Sequence, residues 1–73
     1  MPKLPVLSGK ELIALLKKNR FDIVRQKGSH VSLQRGTLKT VVPLHDELAK
    51  GTLLAILKQC NLTKDDLERL TAE

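Results

Sequence analysis

The tripeptide Gly28-Ser29-His30 is the part of this sequence with the clearest capacity for chemistry. It lies between two short strand-like segments, so a tight turn there would hold an imidazole at the surface of a hairpin. Lys27 precedes the tripeptide directly, and Arg25 and Lys39 are close in sequence, so the ring would lie among cations that attract phosphate. A titratable ring on a cationic surface indicates chemistry on RNA.

Cleavage of RNA needs few protein groups, because the 2′-hydroxyl attacks the neighbouring phosphate once one group accepts its proton and another stabilises the developing charge. An imidazole, with a reference pKa of about 6.5, exchanges protons near neutral pH and contributes about 10²–10⁴ in rate. We therefore expect His30 to be the general acid or base. Lys27, Gly28 and Ser29 are expected to bind phosphate through a cation, turn N–H groups and a hydroxyl. The alternative is that His30 is a solvated side chain on the open face of a strand.

Two further positions are candidates for phosphate binding. His45 is either a second acid/base or phosphate-binding group or a loop residue that bonds locally, and the local role is the simpler interpretation. Lys50 precedes Gly51-Thr52 at the start of a predicted helix, where a cation and free N–H groups can bind phosphate, although Gly and Thr are also ordinary capping residues. The two His residues, without a Cys pair or an acidic cluster, match no zinc or calcium pattern. We expect no metal and no cofactor.

Composition limits the classes of function. The chain has 73 residues, with 13 Lys and Arg against 8 Asp and Glu, which gives a net charge of +5. This excess is typical of a protein that binds a polyanion, and a domain of this size buries only about 60% of its unfolded surface, which disfavours a deep cavity. The single aromatic residue, Phe21, argues against base stacking, so RNA contacts should involve phosphates, 2′-hydroxyls and shape. The lone Cys60 is expected to pack as a small apolar side chain.

The sequence predicts a cytoplasmic protein with no membrane association. No segment approaches the ~20 apolar residues of a membrane span. The segment Met1–Leu7 is too short and too interrupted by proline to be a signal peptide.

Hydrophobic periodicity predicts the elements that position these residues. Ser8-Gly9-Lys10-Glu11 has the spacing of a capping box, and the apolar stripe that follows it predicts a helix ending near Asn19. Alternation then predicts a hairpin, with Val31 and Leu33 inward. Its outward-facing residues are His30, Ser32 and Gln34.

The second half of the chain predicts a third strand and two more helices. Arg35-Gly36-Thr37 is a second turn, followed by a strand from Leu38 to Val42 that Pro43 ends by removing an N–H donor. Thr52 is the predicted cap of a helix that stops at Asn61. Thr63-Lys64-Asp65-Asp66 begins a short third helix or a frayed tail.

These elements predict an α+β fold of order α-β-β-β-α, with a three-stranded antiparallel sheet and the helices on one of its faces. The other face, which carries His30, stays open to solvent. Residues 1–73 form a single domain, with a core of about residues 8–62 and a short helix or tail over 63–73.

The chain as a whole resembles the HicA toxins, also called YcfA-like proteins, which are small bacterial mRNA interferases. The resemblance covers residues 4 to about 62 and rests on four segments, Ser8–Glu11, Lys27–His30, Val42–His45 and Gly51–Gln59. It implies a fold like that of double-stranded-RNA-binding domains, ribosome-independent cleavage of mRNA, and neutralisation by a cognate HicB-type antitoxin. It also implies that His30 is the catalytic His.

Two alternatives to a nuclease stand beside this interpretation. One is a non-catalytic module that binds double-stranded RNA, and the other is an interaction domain whose basic face meets an acidic protein. The multi-lysine cluster that double-stranded-RNA-binding domains carry at the start of the last helix is reduced here to Lys50, which favours the nuclease over the passive binder.

Overall fold

The computed structural model describes residues 5–72. Residues 1–4, which include most of the segment considered as a signal peptide and the first residue of the family resemblance, lie outside the described residues, as does residue 73. The elements in chain order are α1 (Gly9–Lys18), β1 (Asp22–Lys27), β2 (His30–Arg35), β3 (Leu38–Pro43), α2 (Lys50–Gln59) and α3 (Lys64–Ala72).

The first helix begins and ends where the sequence predicts. The Glu11 N–H donates to Ser8 Oγ at 3.1 Å, and the Ser8 N–H donates to Glu11 Oε1 at 2.9 Å, which completes the capping box. Asn19 is the C-cap, and Arg20 after it adopts a left-handed φ of 69°. The α2 helix ends in the same way before Asn61, whose φ is 57°. Both predicted helix stops are therefore confirmed.

Two tight turns build the sheet, in which β2 lies between β1 and β3 and both pairs are antiparallel. Each turn has two residues between the paired strands, and Gly28 and Gly36 take the first of these positions with φ of 60°. A positive φ at that position is the requirement of a type II′ hairpin turn, which glycine meets without steric cost. The turn that carries His30 is thus a direct product of the sequence.

Alternation along β2 sets the two faces of the sheet. Val31 and Leu33 are buried at 2% and 0% exposure, whereas His30 is exposed, as predicted. The edge strand β1 is exposed along its whole length, and an irregularity in its pairing falls between Ile23 and Arg25. Because of this edge position, Ile23 remains 45% exposed.

The helices cover one face of the sheet, which confirms the predicted α+β class. Both α1 and α2 pack against β3, α1 also reaches β1, and α3 packs against α1. The core between them is aliphatic apart from Phe21 and Cys60, which are 1% and 2% exposed. Burial raises the pKa of the Cys60 thiol to about 11, so Cys60 serves as a small apolar residue, as predicted. Over residues 5–72, each helix is too short or too polar to cross a membrane.

The predicted cap of α2 is wrong. The helix begins at Lys50 with Ala49 at the N-cap, and Thr52 lies inside the first turn instead of capping it. The Leu48 N–H donates to the Leu7 carbonyl at 2.8 Å, and Leu48 itself is buried. These tertiary contacts place the helix start three residues earlier than the capping preference of Thr52 would place it. The third helix does form, and the buried Leu67 anchors it.

Candidate functional site

The four residues Lys27, Gly28, Ser29 and His30 line one shallow groove on the open face of the sheet. The groove has a volume of about 590 Å³. We call it the His30 groove, and its remaining lining residues are Arg25, Ser32 and Val41.

Strand register explains why these side chains share a surface. Directly paired residues of antiparallel strands project to the same face, and β1 pairs Lys27 with His30 and Arg25 with Ser32. Ser32 also pairs with Val41 on β3. Because Val31 and Leu33 point into the core, all of these residues point away from it.

Main-chain hydrogen bonds hold the turn that presents His30. The Leu44 N–H, just after β3, donates to the Ser29 carbonyl at 2.7 Å. One residue further, the His45 carbonyl accepts the N–H of Gly9 at 2.9 Å, which connects the same segment to the start of α1. The turn, the segment after β3 and the first helix therefore form one connected support for the groove.

The open face is electropositive. The three strands contain four cations and one acid, Asp22, and all of these except Arg35, which lies on the helix side, belong to the open face. Arg25 and Lys27 line the His30 groove, and Lys39 lies on the same face because it pairs with Gln34. None of the residues that line the groove is acidic. This arrangement attracts an anion such as a phosphodiester.

Two of the predicted phosphate-binding residues lie outside this groove. His45 is exposed in the loop between β3 and α2, and its carbonyl, not its ring, makes the contact to α1. Lys50 is exposed at the first position of α2. A phosphate-binding role for either residue stays a prediction.

Sequence reasoning did not assign Ser32 and Val41 to the site and treated Arg25 only as a nearby cation. Strand alternation could have identified Arg25 and Ser32. Arg25 lies two residues from Lys27 on β1, and Ser32 lies two residues from His30 on β2, so each shares a face with that residue. Val41 had no such signal, because only the pairing of β2 with β3 brings it to the groove.

Residues 5–72 contain no group of three or more His, Cys, Asp or Glu side chains arranged to hold a metal ion.

The fold and the groove together define a small α+β domain that presents an imidazole and several cations on an open sheet. A family model described as the HicA toxin of bacterial toxin–antitoxin systems matches residues 9–62. This match spans most of the chain, so the protein belongs to the HicA toxin family, and its role is that of a toxin with an antitoxin partner. Neither the curated proteins nor the solved structures contain a match to it.

Proposed function

We propose that this toxin is an endoribonuclease that cleaves mRNA with His30 as its general acid/base. The observation that carries the proposal is the placement of His30, Lys27 and Arg25 in one open groove of a HicA-family domain. An open groove can bind an internal segment of a long polymer, and the cations of the groove attract the phosphates of RNA.

In the proposed reaction the His30 imidazole accepts the proton of a ribose 2′-hydroxyl. The freed oxygen attacks the adjacent phosphorus, and the bond between phosphorus and the 5′ oxygen breaks. The leaving 5′ oxygen takes a proton from water, and the protonated His30 returns its proton to the solvent. The products are a 2′,3′-cyclic phosphate and a 5′-hydroxyl. Lys27 lies beside His30 in the strand pairing and offsets the charge that develops on the phosphoryl oxygens.

The turn supplies the other phosphate contacts of the proposal. Gly28 and Ser29 join β1 to β2, and a tight turn directs successive backbone N–H groups toward an anion. The bond from Leu44 to the Ser29 carbonyl limits movement of the turn, so its donors are oriented before RNA binds. His45 and Lys50 are kept in the proposal as more distant phosphate contacts.

The proposed partners are mRNA and a cognate HicB-type antitoxin, and the proposed location is the cytoplasm, where mRNA is translated. The reaction draws its nucleophile from the substrate, so the proposal needs no cofactor.

Replacement of His30 tests the proposal. We expect His30→Gln, which keeps a polar side chain but cannot exchange a proton near neutral pH, to lower the RNA cleavage rate by about 10²–10⁴-fold. The variant should also lose growth arrest in cells while it still binds the antitoxin. The assay measures cleavage of a labelled transcript by purified protein, with identification of the new RNA ends.

A second variant, with the exposed Lys64 of α3 changed to alanine, controls for the effect of a surface substitution on the purified protein and should cleave like the wild type. Cleavage or toxicity that survives in His30→Gln would reject the nuclease mechanism. If RNA is bound but stays intact even with the wild-type protein, the chain is a binding module instead.

A further inference from the structure

A second groove adjoins the His30 groove and is lined by residues of the open face and by residues of the helix side, including Thr40 and Gln59. It has a volume of about 380 Å³ and shares two of its lining residues, Ser32 and Val41, with the first. We call it the Val41 groove. Its other lining residues are Val24, Leu33, Lys39, Thr40 and Gln59.

Two valine side chains make this surface apolar. Val24 is 57% exposed and Val41 is 47% exposed, although the other face of the sheet packs on a hydrophobic core. Lys39 lines the same groove, and Arg25 lies in the adjoining one. A small apolar surface bounded by cations has the chemistry to bind a planar, weakly polar group that is attached to a phosphate.

Gln59 adds a hydrogen-bonding group to the edge of this surface. Its Oε1 accepts the hydroxyl proton of Thr40 at 2.7 Å, and Thr40 is only 4% exposed. This bond fixes the orientation of the amide, and its Nε2 has two N–H donors available to a ligand. An N–H donor at this position suits the acceptor atoms on the edge of a nucleobase.

The distance between the two grooves is short enough for neighbouring nucleotides of one RNA strand to occupy both. Ser32 lies two residues from His30 along β2, which corresponds to about 7 Å at the rise of a strand. A nucleotide bound at the Val41 groove would therefore be next to the nucleotide whose phosphate reaches His30.

We infer that the Val41 groove is a nucleotide subsite that binds the RNA residue adjacent to the scissile bond. The base packs on Val24 and Val41, the Gln59 amide donates to it, and Lys39 pairs with its phosphate. This inference rests on the proposed function, because the subsite binds the same RNA strand that His30 is proposed to cleave. The continuity of this groove with the His30 groove favours RNA over a protein partner as its occupant.

Binding of an RNA that cannot be cleaved separates this inference from the chemistry. The probe is a fluorescent 2′-O-methyl oligonucleotide of about eight residues, whose blocked 2′-oxygens cannot act as nucleophiles. We expect Val41→Asp in the full chain to weaken probe binding about tenfold or more. The substitution removes a contact to the base and adds a carboxylate that repels the RNA phosphates. Fluorescence anisotropy at fixed salt measures the affinity.

The matched control is Val6→Asp. Val6 is 73% exposed and does not line either groove, so the same substitution there should change affinity less than about twofold. Methyl signals of Val24 and Val41 in the wild-type chain give an independent measurement, and we expect them to shift when the probe is added while those of Val6 do not. This second measurement does not depend on how any variant folds.

The outcomes separate the subsite from the proposed function. If the wild-type chain does not bind the probe, both fail. If it binds and Val41→Asp is as tight as Val6→Asp, with no shift at Val24 or Val41, the subsite is overturned and the role of His30 is untouched. If Val41→Asp blocks antitoxin binding and leaves probe binding unchanged, the face is a protein interface and the subsite is likewise rejected.

Discussion

At the first position of α1, Gly9 lies so close to the segment after β3 that no side chain fits. A Cβ on Gly9 would be 2.1 Å from the Pro43 carbonyl oxygen and 3.0 Å from the Leu44 Cα, both of which are backbone atoms. The same segment bonds to the Ser29 carbonyl. The absence of a side chain at Gly9 therefore allows α1 to pack against the segment that bonds to the turn before His30.

Substitution of Gly9 by alanine should accordingly be costly. We expect Gly9→Ala to lower the free energy of unfolding by about 1–3 kcal/mol, because the backbone of residues 43–44 must move to admit a methyl group. Gly51→Ala is the matched control, since nothing lies within 4 Å of its added Cβ. Alanine is the better helix former, so this change in α2 should stabilise by up to about 1 kcal/mol. Urea denaturation measures both, and equal effects at the two positions would contradict this account.

Among the elements, α3 shows how a short segment becomes a helix and not a tail. The Asp66 N–H donates to Thr63 Oγ1 at 3.1 Å, and the Thr63 N–H donates to Asp66 Oδ2 at 2.9 Å. The Thr63 N–H is the main reason that the pKa of the Asp66 carboxyl lies below its usual 3.8, with help from the Thr63 hydroxyl and from Arg69, which also bonds to it. Leu67, fully buried against the core, then attaches the helix to the domain.

The lowered pKa of Asp66 predicts a dependence of stability on pH. The charged form is favoured in the folded state, so its contribution is complete above the unfolded value of 3.8 and is lost as the pH falls through the lower folded value. At pH 7 we expect Asp66→Asn to melt below the wild type, and the difference should shrink at a pH well under 3.8. Thermal melts followed by circular dichroism measure this difference.

Asp65→Asn is the control for charge alone. Asp65 lies in the same first turn of α3 but makes no side-chain hydrogen bond within residues 5–72. Its substitution should have a smaller effect at pH 7. A difference between wild type and Asp66→Asn that does not change with pH would contradict the capping explanation.

Over the whole molecule, charge is distributed so that one face can meet a polyanion. Most of the acids in the described residues lie on the helices and in the loop before α2, whereas the sheet carries four cations and the single acid Asp22. Of these cations, Arg35 lies on the helix side of the sheet, and Arg25, Lys27 and Lys39 lie on the open face that contains His30. Association with RNA should depend on salt through these few cations.

The proposed RNA contacts predict the size of that dependence. If Arg25, Lys27 and Lys39 each neutralise one phosphate of a single strand, the logarithm of the affinity should fall with the logarithm of salt with a slope of about −2. Lys39→Ala should reduce the magnitude of the slope by about 0.7, while Lys64→Ala on α3 should leave it unchanged. Titrations of the 2′-O-methyl probe at several salt concentrations measure the slope, and equal slopes for these two variants would exclude Lys39 from the RNA contact.

Local sequence determined much of this protein. The capping boxes at Ser8 and Thr63, the glycine at the start of each turn and the alternation through Val31 and Leu33 each act within a few residues, so the elements and the exposure of His30 follow from them. Alternation also places Lys27, beside His30, on the open face.

Tertiary structure decided the rest, because contacts between distant segments outweigh weak local preferences. Packing of Leu48 and its bond to Leu7 moved the start of α2 away from Thr52, and the register of β3 brought Val41 beside Ser32. Close approach of Gly9 to Pro43 joined the first helix to the turn that carries His30. None of these contacts can be predicted from neighbouring residues in the sequence, because each depends on which residue of a distant segment packs there.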